Sequence, residues 1–227
     1  MNDFKRYVAL VGIICAIWLP AATVSAGASD WHPLINESMA SDWRGWRSPG
    51  FPAGWHVEGG VLSKDGPVED LVTLATFGNF ELEFEWNIGK GGNSGVFYRA
   101  TRDYDHIYWS APEYQLLDDA NAEDGKSPLT SAAAAYGIYP ANGGMVAPYG
   151  HWNKSRIIVK STHVEHWLNG RLVVGYDLKS PDWTAKVAAS KFAAYPRYGL
   201  ATAGFIGLQG DHPGTLGIRR MRIRELP

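Results

Sequence analysis

The run FELEFEWNI, residues 80–88, alternates without interruption: Phe80, Leu82, Phe84 and Trp86 fall on one side, Glu81, Glu83, Glu85 and Asn87 on the other. Successive side chains of a strand point to opposite faces, so the pattern predicts a strand with one face in a core and one in water. Similar short segments flank it: HVEGGVLSK (56–64), DLVTLATF (70–77), SGVFYRA (94–100) and EYQLLDD (113–119). SRIIVKST (155–162), HVEHWLNG (163–170), RLVVGYDL (171–178), GFIGLQGD (204–211) and LGIRRMRIREL (216–226) continue the series. Asn169-Gly170 between two apolar runs is a strong hairpin signal, because both residues tolerate the positive φ of a tight two-residue turn. Trp183, Val187, Ala188 and Phe192 recur at helical spacing and predict one short helix. Residues 121–150 lack periodicity and read as a long loop excursion, a kind of segment that is usually functional inside a compact domain. With 26 glycines, 13 prolines and 13% aromatic residues, the expectation is all-β, a two-sheet antiparallel sandwich.

The first 26 residues stand apart. Lys5 and Arg6 precede an apolar run from Val8 to Pro20 and a Val24-Ser25-Ala26 step, the layout of a secretory signal peptide. The run is shorter than the roughly 20 residues that span a bilayer. Residues 27–227 are then expected as a single exported domain, periplasmic or secreted. Cys15, the one cysteine, lies in the leader, so the mature domain has neither disulfides nor a thiol nucleophile. A formal net charge of −2 favours neither nucleic acid nor an anionic membrane. No HExxH, CxxC, GxSxG, P-loop or dinucleotide-binding glycine pattern occurs.

Polar residues interrupt the strands that follow residue 92. In NSGVFYR (93–99), Asn93, Gly95, Phe97 and Arg99 share a face; in EYQLLDD, Glu113 and Gln115 share one and Tyr114 and Leu116 the other. Arg99 and Glu113 could form a cross-strand ion pair on a solvated sheet. Alternatively they could line a groove, since Phe97, Tyr104, Tyr108, Trp109, Tyr114 and Tyr136 are interleaved with them and aromatic walls with a few polar groups suit a sugar or small molecule. His163 and His166, three apart on a strand, face opposite ways and cannot chelate a metal together. His212, in the QGDHPG loop, can be aimed into a groove.

In order, NSGVFYR, EYQLLDD, YGIYP (136–140), HWNKSRIIVK (151–160), VEHWLNG, IGLQGDH (206–212) and RIREL (222–226) resemble the 3-keto-disaccharide hydrolase family, from Trp43 to Leu226. The resemblance implies a concanavalin A-like jelly roll and cleavage of glycosides whose glucose ring carries a ketone at C3. Carried over position by position, it nominates Glu113, His212, Arg99 and Asp118 as catalytic groups. It nominates Asn93, Gln115, Trp152, Asn153 and Gln209 as substrate-binding residues, to which the aromatic-groove reading adds Trp109 and Tyr136, with a carbohydrate as partner. A divalent metal held by Glu113, Asp118 and His212 would fit the same chemistry. Two rivals stand beside this reading: a non-catalytic carbohydrate-binding module on the same fold, and an ordinary glycosidase pairing Glu113 with Asp103, Asp105, Asp118 or Asp119. The chain departs from the family pattern at the inserted Gly210, at the proline after His212 and at Arg219-Arg220-Met221.

Overall fold

The computed structural model describes Met1 and residues 30–143 and 145–227; the expected leader, Met1 aside, lies outside these. Strands β1 (His32–Pro33), β2 (Trp43–Gly45), β3 (Trp55–Glu58), β4 (Val61–Asp65), β5 (Leu71–Phe77), β6 (Phe80–Ile88) and β7 (Asn93–Ala100) form the first half. β8 (Glu113–Leu117), β9 (Asn153–Lys160), β10 (His163–Leu168), β11 (Arg171–Asp177), β12 (Gly204–Leu208) and β13 (Thr215–Glu225) complete the sandwich. One sheet runs β11-β10-β9-β6-β13-β4-β3 with β1 beside β13, the other β2-β5-β12-β7-β8, and all pairings are antiparallel.

β6 sits at the middle of the larger sheet and behaves as its alternation requires. Phe80, Leu82, Phe84, Trp86 and Ile88 are buried in the core between the sheets. Its outward glutamates meet arginines of β13: Glu81 with Arg224 (2.5 Å), Glu83 with Arg222 (2.7 Å), Glu85 with Arg219 (2.7 Å) and Arg220 (3.0 Å). The ladder keeps its phase because β13 bulges between Arg219 and Arg222, with Arg220 at φ +51°. That extra residue lets Ile218, Met221 and Ile223 all reach the core. The Asn169-Gly170 hairpin forms with both residues at positive φ, as read from sequence, and the short helix α1 (Pro181–Ala188) is capped by Ser180, whose Oγ accepts from the Trp183 N–H (3.1 Å).

The excursion after β8 is tied to the core by a buried histidine. His166 Nδ1 donates to the Ala133 carbonyl and Nε2 accepts from the Tyr98 hydroxyl, both at 2.9 Å, while Tyr98 also bonds Tyr176. The pairing fixes His166 neutral, and burial holds its pKa down to about 4. An unfolded histidine titrates near 6.5, so the unfolded chain binds the extra proton between the two values. Stability should therefore be intact above pH 6.5 and fall as pH drops toward 4, by up to about 3 kcal/mol from this residue. The check is urea denaturation from pH 7 to 4.5: wild type should lose stability more steeply than His166→Gln, and parallel slopes would remove His166 as the cause.

Candidate active site

The polar cluster is built on the outer face of the smaller sheet, where β7 and β8 pair. Glu113 lies opposite Phe97, Gln115 opposite Gly95 and Leu117 opposite Asn93. Alternation sends Val96, Tyr98, Tyr114 and Leu116 into the core and leaves Asn93, Gly95, Glu113 and Gln115 outward. Gly95 is required: a Cβ there would lie 2.0 Å from Glu113 Oε1, so the glutamate lies flat across it. The Gln115 amide, with its NH2 toward the Ser94 carbonyl (3.2 Å) and Glu113 Oε1 (3.1 Å), donates to both. Gln209, just past β12, is clamped by its backbone, its N–H donating to the Gly95 carbonyl (2.9 Å) and its carbonyl accepting from Ser94 Oγ (2.8 Å). Its side-chain Oε1 is buried and has no hydrogen-bond partner among the described residues. Buried polar atoms are almost always paired, and an orphan beside a cavity marks where a ligand group belongs.

These residues floor a cavity of about 210 Å³. On one side the excursion supplies Asp124 and Tyr136, and the turn after α1 supplies Lys191. Asn93 Nδ2 donates to Asp124 Oδ2 (3.1 Å), and Lys191 Nζ sits 4.4 Å over the Tyr136 ring. Tyr108, Asp211 and His212 complete the rim. Lys64 shapes that rim by donating from Nζ to the carbonyls of Gly66 (3.0 Å), His212 (2.7 Å) and Gly214 (3.3 Å). Gly210, the insertion noted in the sequence, packs where a Cβ would meet the Val68 and Glu69 carbonyls at 2.7 Å, and its N–H donates to Asp70 Oδ1 (2.7 Å).

Burial pushes the Glu113 carboxyl up to about 8; Lys191 opposes this, and Asp70, Asp211 and Asp124 add to it. Asp70 is likewise pushed by burial to about 7, against the Gly210 N–H and with the help of Asp211. A carboxyl held near neutrality in a cleft is suited to proton transfer at physiological pH.

Asn93, Glu113, Gln115, Tyr136, Gln209 and His212 thus come together as the sequence suggested, and five other nominated residues do not. Arg99 has φ +54°, which breaks the alternation of β7 and turns its side chain to the Gly78 carbonyl (Nε, 3.0 Å) and Asn79; it neither pairs with Glu113 nor lines the cavity. Asp118 lies beyond the end of β8 and holds the β6–β7 turn, accepting from the Gly91 N–H (2.8 Å) and Asn121 (2.7 Å). Asn153 is on the larger sheet, its Oδ1 accepting from Ala147 N–H and Asn169 Nδ2. Trp152 stacks under Arg219, 4.0 Å from the guanidinium carbon. Trp109 packs flat on Tyr195 (4.8 Å) outside the cavity wall. With Asp118 elsewhere, Glu113 and His212 lack the third ligand of the suggested metal site. Among the described residues no three His, Cys, Asp or Glu side chains are grouped to hold an ion.

Sequence reasoning passed over Lys191, Asp124 and Asp211, and listed Tyr108 only among the aromatics. Lys191, Asp124 and Asp211 lie in loops and short turns, where periodicity carries no facing information. The one signal available was proximity in sequence: Asp211 adjoins His212, and Asp124 lies in the excursion already suspected of function.

The sequence pattern of 3-keto-alpha-glucoside-1,2-lyase-like domains matches residues 30–224. A Bacteroides thetaiotaomicron protein named 3-keto-disaccharide hydrolase is 36% identical over 232 residues, covering 88% of this chain and 79% of that protein. A crystal structure from Parabacteroides distasonis, provisionally classed as a glycosyl hydrolase, superposes with a TM-score of 0.80 at 32% identity, covering 87% of this chain and 94% of the other. An endo-β-1,3(4)-glucanase of family GH16 shares the jelly-roll fold alone (TM-score 0.53, 11% identity, 89% and 94% covered).

Proposed function

The chain belongs to the 3-keto-alpha-glucoside-1,2-lyase-like family, and from that premise we propose that it is an exported enzyme that cleaves 3-keto-glycosides by elimination and hydration. A ketone at C3 acidifies the C2 proton. Its removal gives an enolate, which expels the C1 substituent as the C1–C2 double bond forms; the departing oxygen takes up a proton. Water then adds across C1=C2, its hydroxyl to C1 and a proton to C2, so the sum of the steps is hydrolysis.

The observation that carries this reading is Glu113: a buried carboxyl near pKa 8, laid over Gly95 at the floor of the cavity. As a carboxylate it is an unusually strong base for a glutamate, and as an acid it retains its proton at neutral pH. Glu113 exchanges the C2 proton. Lys191 supplies the positive charge for the enolate oxygen. His212, on the cavity rim, serves the departing oxygen or the incoming water. Gln209 Oε1, Asn93 and Gln115 take sugar hydroxyls.

The test is incubation of the purified chain with 3-keto-trehalose and with unoxidised trehalose, following released sugar by mass spectrometry. Release from the keto form alone is expected. Release from both would indicate ordinary glycosidase chemistry, and saturable binding without release from either would leave a sugar-binding module.

A further inference from the structure

The cavity at Glu113, about 210 Å³, is the seat assigned above to the ketone-bearing ring, and the substituent at C1 must extend from it. A second cavity of about 420 Å³ adjoins it, lined by Trp46, Arg47, Val68, Glu69, Asp70 and His106 together with Asp211. Asp211 lines both. The ring of His106 in the second cavity also lies 5.1 Å from that of Tyr108 in the first. The two spaces therefore lie side by side, bordered in common by Asp211.

The walls of the second cavity are fixed in place. Glu69 accepts from the Arg47 and Ser48 N–H groups (2.5 and 2.8 Å) and from Ser48 Oγ (2.6 Å), locking the turn after β2. Gly45 makes room for that carboxylate, which a Cβ would approach to 2.5 Å. Trp46 Nε1 donates to the Asp105 carbonyl (2.7 Å), joining the turn to the loop that carries His106. Asp70 has one oxygen on the Gly210 N–H. The mixture of an imidazole ring and aliphatic surface with Asp70, Asp211 and Arg47 suits a molecule with C–H faces and many hydroxyls.

We propose that this second cavity is the leaving-group subsite and that it seats a second sugar ring, with Arg47, Asp70 and Asp211 taking its hydroxyls and His106 packing on its face. The proposal rests on the 3-keto-glycoside reading and adds to it where the other half of the substrate lies. Arg47 and His106 are the residues to test, since the charge of Asp70 also acts on Glu113.

Wild type, Arg47→Ala and His106→Ala are compared on a 3-keto-glucosyl disaccharide, on the phenyl 3-keto-glucoside and on 3-keto-glucosyl fluoride, whose leaving group is too small to reach the second cavity. Each variant should lose at least tenfold more kcat/KM on the disaccharide than on the fluoride. Equal losses on those two would overturn the subsite, and a phenyl glucoside as sensitive as the disaccharide would overturn its assignment to a sugar. If wild type turns over none of the three, the functional reading fails, and the subsite is then judged by calorimetry. Tighter binding of the disaccharide than of its single-ring half, abolished in Arg47→Ala, would sustain it, and no difference would end it.

Discussion

Glu113→Gln is expected to cut turnover of a 3-keto-glycoside about a thousandfold while making the protein more stable. The loss follows from the role: general acid–base groups contribute roughly 10² to 10⁴ in rate, and glutamine keeps the shape but neither holds nor gives up the proton. The gain follows from the pKa. The folded carboxyl titrates near 8, against 4.5 as its ordinary value, with burial as the main cause. Between those values the folded chain keeps a proton that the unfolded chain releases. Stability from this residue is therefore whole below pH 4.5 and declines as pH rises through 8, a penalty of about 3 kcal/mol at pH 7. A neutral amide removes it, so the melting temperature should rise by several degrees. The wild-type pH profile of kcat/KM then separates the roles: a limb rising through about 8 marks Glu113 as the base that takes the C2 proton, and a limb falling there marks it as an acid. A variant that retains a tenth of wild-type activity would remove Glu113 from the chemistry.

The strand segments and the outward placement of Glu113 and Gln115 were legible because a period of two leaves little choice of face once one side is apolar, as in Phe80–Ile88 and Glu113–Leu117. The same rule explains where the reading failed. Arg99 was assigned to the face of Asn93 and Gly95 by counting in twos, and a positive φ at Arg99 itself cancels the count. Asn153 and Trp152 match family motifs, yet Asn153 opens β9 of the larger sheet, where it holds the loop before β9 and the Asn169 hairpin, and Trp152 precedes it, stacked under Arg219. Lys191 was invisible for a different reason. Its position depends on α1 docking through buried Trp183 and on the following turn docking through Phe192, stacked 4.1 Å from Tyr198. That tertiary arrangement leaves no periodic trace at residue 191.

Gly95→Ala is expected to disable the enzyme without unfolding it, and it tests geometry where Glu113→Gln tests chemistry. The new Cβ would stand 2.0 Å from Glu113 Oε1, 2.7 Å from its Cδ and 2.8 Å from its Cγ, distances that no packed pair sustains. The neighbour is a side chain with three rotatable bonds, so the carboxyl yields before the backbone does. Its escape is into the cavity, away from Gly95 and toward Lys191 and water. A displacement of about 1 Å at a reacting group can cost 10²-fold in rate, and the cavity also loses volume needed by the sugar ring. Relief of burial should bring the pKa down from about 8, since burial is the largest cause of its elevation. Two readouts should therefore move together: kcat/KM down about a hundredfold, and the limb of the pH profile shifted to lower pH, with the urea midpoint close to wild type. A loss of activity with the limb still near 8 would mean that the methyl group merely blocks the sugar. Unchanged activity would show that the seat of Glu113 over Gly95 has no part in catalysis.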